Sequence, residues 1–192
     1  MERLRKAIRE QGVGIGRDVV KVDMFLNHRI DTGLLFSMGE AWAEVFREDR
    51  PELILTVEAS GIALAVAAAH ALGDLPVIFA KKAQAVTNDG DMVQAPVYSF
   101  THKTRSMIRV DRKYLPEGSR VLIIDDFLAD GEAVRGMMKL CEHTKAQVIG
   151  VGIAVEKGFQ KGGRELREAG VKLCSLAVVD EIRNGEIVLR DS

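Results

Sequence analysis

From residue 53 onward, short runs that are apolar on both faces alternate with helical patterns, and this alternation limits the chain to few architectures. The runs are "LILTV" (53–57), "PVIFAKK" (76–82), "RVLIIDD" (120–126), "QVIGVGIAVEK" (147–157) and "KLCSLAVV" (172–179). Between them lie "GIALAVAAAHAL" (61–72), "EAVRGMMKLCEH" (132–143) and a shorter helical stretch, "GRELREAG" (163–170). A strand with no polar face needs cover on both sides, and crossover helices supply it. The pattern therefore predicts an α/β fold, a mostly parallel sheet flanked by helices. "RNGE" (183–186), set between apolar runs, predicts a terminal hairpin.

The first fifty residues read differently. Met1, Leu4 and Ile8 share one face of a short basic helix ending near Gly12. "VVKVDMFLNHRID" reads as partly extended. From Thr32 the spacing of Leu34, Leu35, Met38, Trp42, Val45 and Phe46 is helical, with Asp31 or Thr32 as cap and Pro51 just past the end. Residues 83–105 are polar, contain "NDGD" and show no clear period, so they are expected to form a flexible lid or binding loop. "SMIRV" beyond it reads as the returning strand of a long hairpin. No repeat, low-complexity tract or linker breaks the chain, and residues 1–192 are expected to form one domain.

Net charge is −1, so bulk electrostatics provide no pull toward nucleic acid or an anionic membrane. No stretch approaches the roughly 20 apolar residues that span a bilayer, and "MERLRKAIRE" has no apolar core of a signal peptide. The two cysteines, Cys141 and Cys174, sit in apolar patterns and read as buried thiols of a reducing compartment. The expected location is the cytoplasm.

In an open parallel sheet, ligands bind outside the carboxyl ends of the strands. Those ends deliver "VEASG" (57–61), "AKK" (80–82), "DDFLADGEA" (125–133) and "EKGF" (156–159). A turn that opens a helix offers unpaired N–H groups and a positive dipole end, a seat for phosphate. Asp125 and Asp126, just before that turn, are placed to accept hydrogen bonds from sugar hydroxyls or to approach Mg²⁺. The plainer reading is an acidic strand end in which one Asp caps the helix. Neither a Walker lysine nor G-x-G-x-x-G occurs here. The four histidines have no metal-ligand spacing.

"VLIIDDFLADGEA" resembles the phosphoribosyl-diphosphate (PRPP) motif of type I phosphoribosyltransferases: apolar residues, two acids, then a small-residue turn. "KVDMFLNHRID", "VEASGIALA", "PVIFAKK", "VYSFTHKT" and "VGIAVEKGFQ" extend the resemblance over nearly the whole chain, in order, to the bacterial xanthine phosphoribosyltransferase family. It implies a type I phosphoribosyltransferase-like fold with a small hood. Residues 1–50 would contribute to the base-binding hood, and Tyr98, Ser99 and Thr101 would lie in the part that closes over PRPP.

The resemblance also implies the chemistry. A purine nitrogen attacks C1′ of the ribose and displaces pyrophosphate, with Mg²⁺ bound alongside PRPP and no resident metal site. Ala129, Asp130, Gly131, Glu132 and Ala133 match the 5′-phosphate loop, and Asp125 and Asp126 match the ribose-diol and Mg²⁺-water partners. Asp130 stands where Thr is frequent, and Glu132 and Ala133 replace Gly and Thr, so two carboxylates must turn away from any phosphate seated there. Glu58, Ala59, Ser60 and Gly61 match the pyrophosphate loop. Lys81 and Lys82 supply charge for the diphosphate, and in the family such residues often serve the partner of a homodimer. Val20, Asn27 and Lys157 match the xanthine contacts, and Lys157, a donor only, favours a keto oxygen over the amino group of adenine. Hypoxanthine/guanine specificity, or a PRPP-sensing regulator without turnover, are the alternatives.

Overall fold

The computed structural model describes residues 1–82, 90–99 and 104–191. In chain order the elements are α1 (Glu2–Gln11), β1 (Val13–Ile15), β2 (Val19–Lys21), α2 (Thr32–Phe46), β3 (Leu53–Val57), α3 (Gly61–Ala71), β4 (Val77–Ala80), β5 (Met92–Ser99), β6 (Thr104–Asp111), β7 (Arg120–Leu128), α4 (Glu132–Thr144), β8 (Gln147–Lys157), α5 (Gly162–Glu168), β9 (Leu173–Arg183) and β10 (Glu186–Leu189). Six strands form the central sheet in the order β10-β9-β8-β7-β3-β4. All neighbours are parallel except β10, which folds back antiparallel on β9 as the "RNGE" turn predicts.

Successive residues of a strand point to opposite faces, and here both faces are buried. Leu122 and Ile124 of β7 join Ile54, Trp42, Phe46 and Leu64 in one core. Val121 and Ile123 join Leu55, Val151, Met137 and Leu140 in the other. So α1, α2 and α3 cover one face, and α4, α5 and the β5–β6 hairpin cover the second. Each large apolar side chain removed from water contributes about 2–3 kcal/mol before entropy is counted. The Asp31 carboxylate accepts from the Leu34 N–H at 2.9 Å and starts α2, a cap worth about 1 kcal/mol.

Three stretches differ from the sequence reading. The strand expected over 76–82 ends at Ala80, and Lys81 instead exchanges two 2.9 Å backbone bonds with Arg109. That bridge docks the β5–β6 hairpin onto the sheet edge. Much of 83–105, expected to be a loop without regular structure, belongs to that hairpin; Thr101 and residues 83–89 lie outside the described residues. The stretch read as partly extended is extended over β2, and beyond it Asp23–Asn27 forms a π-helical turn. Among the described residues, no helix is long and apolar enough to cross a membrane.

Candidate active site

The carboxyl ends of β3 and β7 open into one cavity of about 430 Å³. Its wall includes Glu58, Ser60 and Lys82 from the β3 and β4 ends, Asp125 to Leu128 from β7, and residues 129–133 leading into α4. Val97, Tyr98, Ser106 and Ile108 of the hairpin close one side. The parallel sheet brings these segments together because every strand delivers its end to the same edge.

The two aspartates meet different surroundings. Asp125 is 3 % exposed. Burial pushes its carboxyl well above the usual carboxylate range, and the Asp126 charge adds to the effect. Asp126 lies half-buried on the cavity wall, and its Oδ1 accepts the Phe127 N–H at 3.0 Å. Gly61 packs against both strands: a β-carbon there would overlap the Thr56 hydroxyl and come within 3.2 Å of Asp125 Oδ1. That close approach sets the Glu58–Gly61 turn against Asp125. Glu58 accepts the Lys82 N–H at 2.6 Å, which ties the two loops to each other.

At the entrance to α4, Gly131 has φ +84°, a conformation that side chains rarely adopt. The turn it makes opens α4 at the cavity wall, which Gly131 to Val134 line, and the first-turn N–H groups of the helix have no intrahelical acceptor. Glu132 is engaged by Arg135 at 3.1 Å, so one of the two loop carboxylates is already partnered.

Lys157, the last residue of β8, is half-buried beside the cavity. Its Nζ donates to the Asp18 carbonyl at 2.7 Å and stands 5.8 Å from the ring centre of Phe127, a wall residue. Burial lowers its pKa, partly offset by Asp18 and Asp130. Asp18 lies two residues before Val20, so the lysine links the β1–β2 hairpin to the sheet. The Val20 side chain is buried in the core, and Asn27 is exposed at the end of the π-helical turn. Lys81 is exposed outside the cavity wall with its Nζ 5.9 Å from the Phe79 ring centre, and Ala59 is exposed on the turn.

Sequence reasoning passed over two groups. Arg135 was hidden in a helix pattern, although its spacing from Glu132 is that of helix-surface neighbours. Glu156, 2 % exposed, is held by Arg167 through two 2.7 Å bonds and by Ser175. Burial raises its pKa, but those hydrogen bonds outweigh it and hold the carboxyl below the usual range. No sequence signal joins residues that far apart.

Among the described residues, no three His, Cys, Asp or Glu side chains form a metal cage. Asp126, with one carboxylate edge on the cavity, suits a metal ion that arrives with a phosphorylated ligand.

The cavity lies at the carboxyl edge of an open α/β sheet, and the chain belongs to the phosphoribosyltransferase family: the phosphoribosyl transferase domain matches residues 30–184. Within that family it is similar to xanthine phosphoribosyltransferases. That of Bifidobacterium animalis subsp. lactis is 52 % identical over 95 % of this chain and 94 % of its own. That of Bacillus licheniformis is 45 % identical over 97 % and 96 %. Among solved structures, an adenine phosphoribosyltransferase from Rhodothermus marinus shares the fold with a TM-score of 0.73 at 22 % identity, over 93 % of this chain and 97 % of that one.

Proposed function

We propose that the protein transfers the 5-phosphoribosyl group from PRPP to xanthine, giving xanthosine 5′-monophosphate (XMP) and pyrophosphate, in purine salvage. The observation that carries this reading is one cavity holding a helix mouth, a half-exposed aspartate beside a buried one, and the Ser60 turn with Lys82.

The 5′-phosphate sits on the amides of 129–133. The ribose hydroxyls donate to Asp126, with Asp125 beneath. The diphosphate lies between the Glu58–Gly61 turn, which admits close backbone approach, and Lys82. Mg²⁺ accompanies PRPP and neutralises the leaving group's charge. A C1′–N bond forms to the purine as the C1′–O bond to pyrophosphate breaks, and the proton of that ring nitrogen passes to pyrophosphate or to water. Positive charge grows on the sugar in between, and the Asp126 carboxylate stabilises it from the diol side. No side-chain nucleophile is required, so the rate gain comes from alignment and charge.

Lys157 sets base choice. Held by the Asp18 carbonyl beside Phe127, it presents N–H donors to a keto oxygen and leaves an adenine amino group without an acceptor. Val20 and Asn27 supply the remaining base contacts through the β1–β2 hairpin and the turn after it. Lys81, outside its own chain's cavity, serves the partner's diphosphate in a homodimer. Both cysteines are free, in keeping with a cytoplasmic enzyme. Cys141 is buried as expected, whereas Cys174 is only half-buried.

Incubation with PRPP, Mg²⁺ and each purine base tests the proposal. Nucleotide and pyrophosphate should appear in equal amounts, fastest with xanthine. PRPP binding without pyrophosphate release would instead mark a sensor, and preference for hypoxanthine or guanine would move the base assignment.

A further inference from the structure

The loop at the mouth of α4 carries two carboxylates of its own, Asp130 and Glu132. An acid in the first turn of a helix is drawn to the same N–H groups that would bind a phosphate. Glu132 does not stand free. Its Oε1 pairs with Arg135 at 3.1 Å. The same guanidinium donates to the Asp130 carbonyl and, at 3.2 Å, to Oε2 of Glu165 on α5. It also lies over Gly131, where a β-carbon would come within 3.0 Å of it. A second tie runs from the Gly162 N–H, at the start of α5, to the Ala129 carbonyl at 3.1 Å.

One cation therefore holds three points around the loop. Arg135, Glu132 and Glu165 keep 32 %, 34 % and 38 % of their side-chain surface exposed, and ion pairs this wet add little to global stability. The effect of the cluster falls on the loop's shape and charge.

We propose that Arg135 is a positioning residue for PRPP binding. It draws the Glu132 carboxylate off the helix mouth and anchors the Asp130 carbonyl, so that the first-turn N–H groups meet the sugar phosphate without a competing acid. This rests on the reading of 129–133 as the 5′-phosphate seat. Without Arg135, Glu132 is the anion best placed to occupy that seat, and the loop opposes its own ligand.

Steady-state kinetics on the full-length protein test this. Arg135→Met should raise KM for PRPP about tenfold, with kcat and KM for xanthine changed by less than about twofold. Glu132→Gln alone gives the KM for PRPP against which the combined variant is read. Combining the two should bring KM for PRPP back to that of Glu132→Gln, because the one carboxylate of the loop that Arg135 holds is gone. A merely structural role predicts no rescue: deleting a second side chain would keep or deepen the loss. An unchanged KM for PRPP in Arg135→Met, or a double variant as impaired as the single one, overturns the proposal. Gly131→Val separates it from the underlying reading. If Gly131→Val raises KM for PRPP and Arg135→Met does not, the seat stands and the role of Arg135 falls. If Gly131→Val leaves KM for PRPP unchanged, the seat itself is misplaced and the proposal falls with it.

Discussion

The Asp126 N–H donates to Oδ1 of Asp125 at 3.0 Å, and that contact fixes two adjacent carboxylates with opposite exposures. Both line the cavity, but Asp125 is almost wholly buried while Asp126 is half-buried. Burial, reinforced by the Asp126 charge, holds the Asp125 carboxyl well above the usual carboxylate range, which eases the repulsion expected of neighbouring acids.

Asp126→Asn should lower kcat more than tenfold, over about 1.4 kcal/mol of barrier, with the melting temperature unchanged. The amide keeps the shape and loses the charge that faces the ribose. Turnover within tenfold of the starting protein would remove Asp126 from the mechanism.

Asp125 links stability to pH. The unfolded chain releases this proton near the ordinary carboxylate value, while burial, reinforced by Asp126, raises the folded pKa well above it. Between those two values the folded protein binds more protons, so stability falls as pH rises through the window. Asp125→Asn mimics the neutral form and removes that dependence. Thermal melts of the free protein should show the variant gaining more over the wild type at about pH 8 than at about pH 4. A gain equal at both would contradict the assignment.

Gly61→Ala should destabilise the fold by about 1–3 kcal/mol and reduce activity together, since the added methyl must push the Thr56 hydroxyl or the Asp125 carboxylate aside. The Thr56 hydroxyl is buried with no hydrogen-bond partner among the described residues, so it has no favourable place to go. Urea unfolding reads the stability change, and an unchanged midpoint would mean the turn yields freely.

Lys157→Ala should change base selectivity more than PRPP affinity. The loss of rate with xanthine should exceed the loss with adenine by about tenfold, the worth of one buried donor left unmatched. Competition between bases measures it. Equal losses for every base would assign Lys157 to packing against Phe127.

The parts of this fold legible in the sequence are those under the strongest packing constraint. β3, β7 and β8 are apolar on both faces because both faces are covered, and their branched Val and Ile residues set them apart from the Ala-rich run of α3. The acid doublet and the Gly61 and Gly131 turns were legible for a related reason: each stands where an apolar strand gives way to a helix, a junction that tolerates few residue types. The β5 strand was not. Its inward positions include the small Ala95, and Pro96 lacks an N–H for a sheet ladder, so the alternation around Val93 is weak. The π-helical turn at Asp23–Asn27 was hidden because its buried residues, Phe25 and Leu26, are adjacent and fit no single period. Glu156 and Arg167 are joined only by the turn between β8 and α5. Their pairing is a product of the fold, and local pattern carries no trace of it.

The central claim is that one edge of the sheet seats a sugar phosphate, with the phosphate on the α4 mouth and the diol on Asp126. A structure of the protein bound to XMP tests it most directly. The account predicts the phosphate within hydrogen-bonding distance of the backbone N–H groups of 130–133, the ribose hydroxyls on Asp126, and a purine keto oxygen facing Lys157. A phosphate seated away from 129–133, or a ribose that leaves both aspartates untouched, would contradict it.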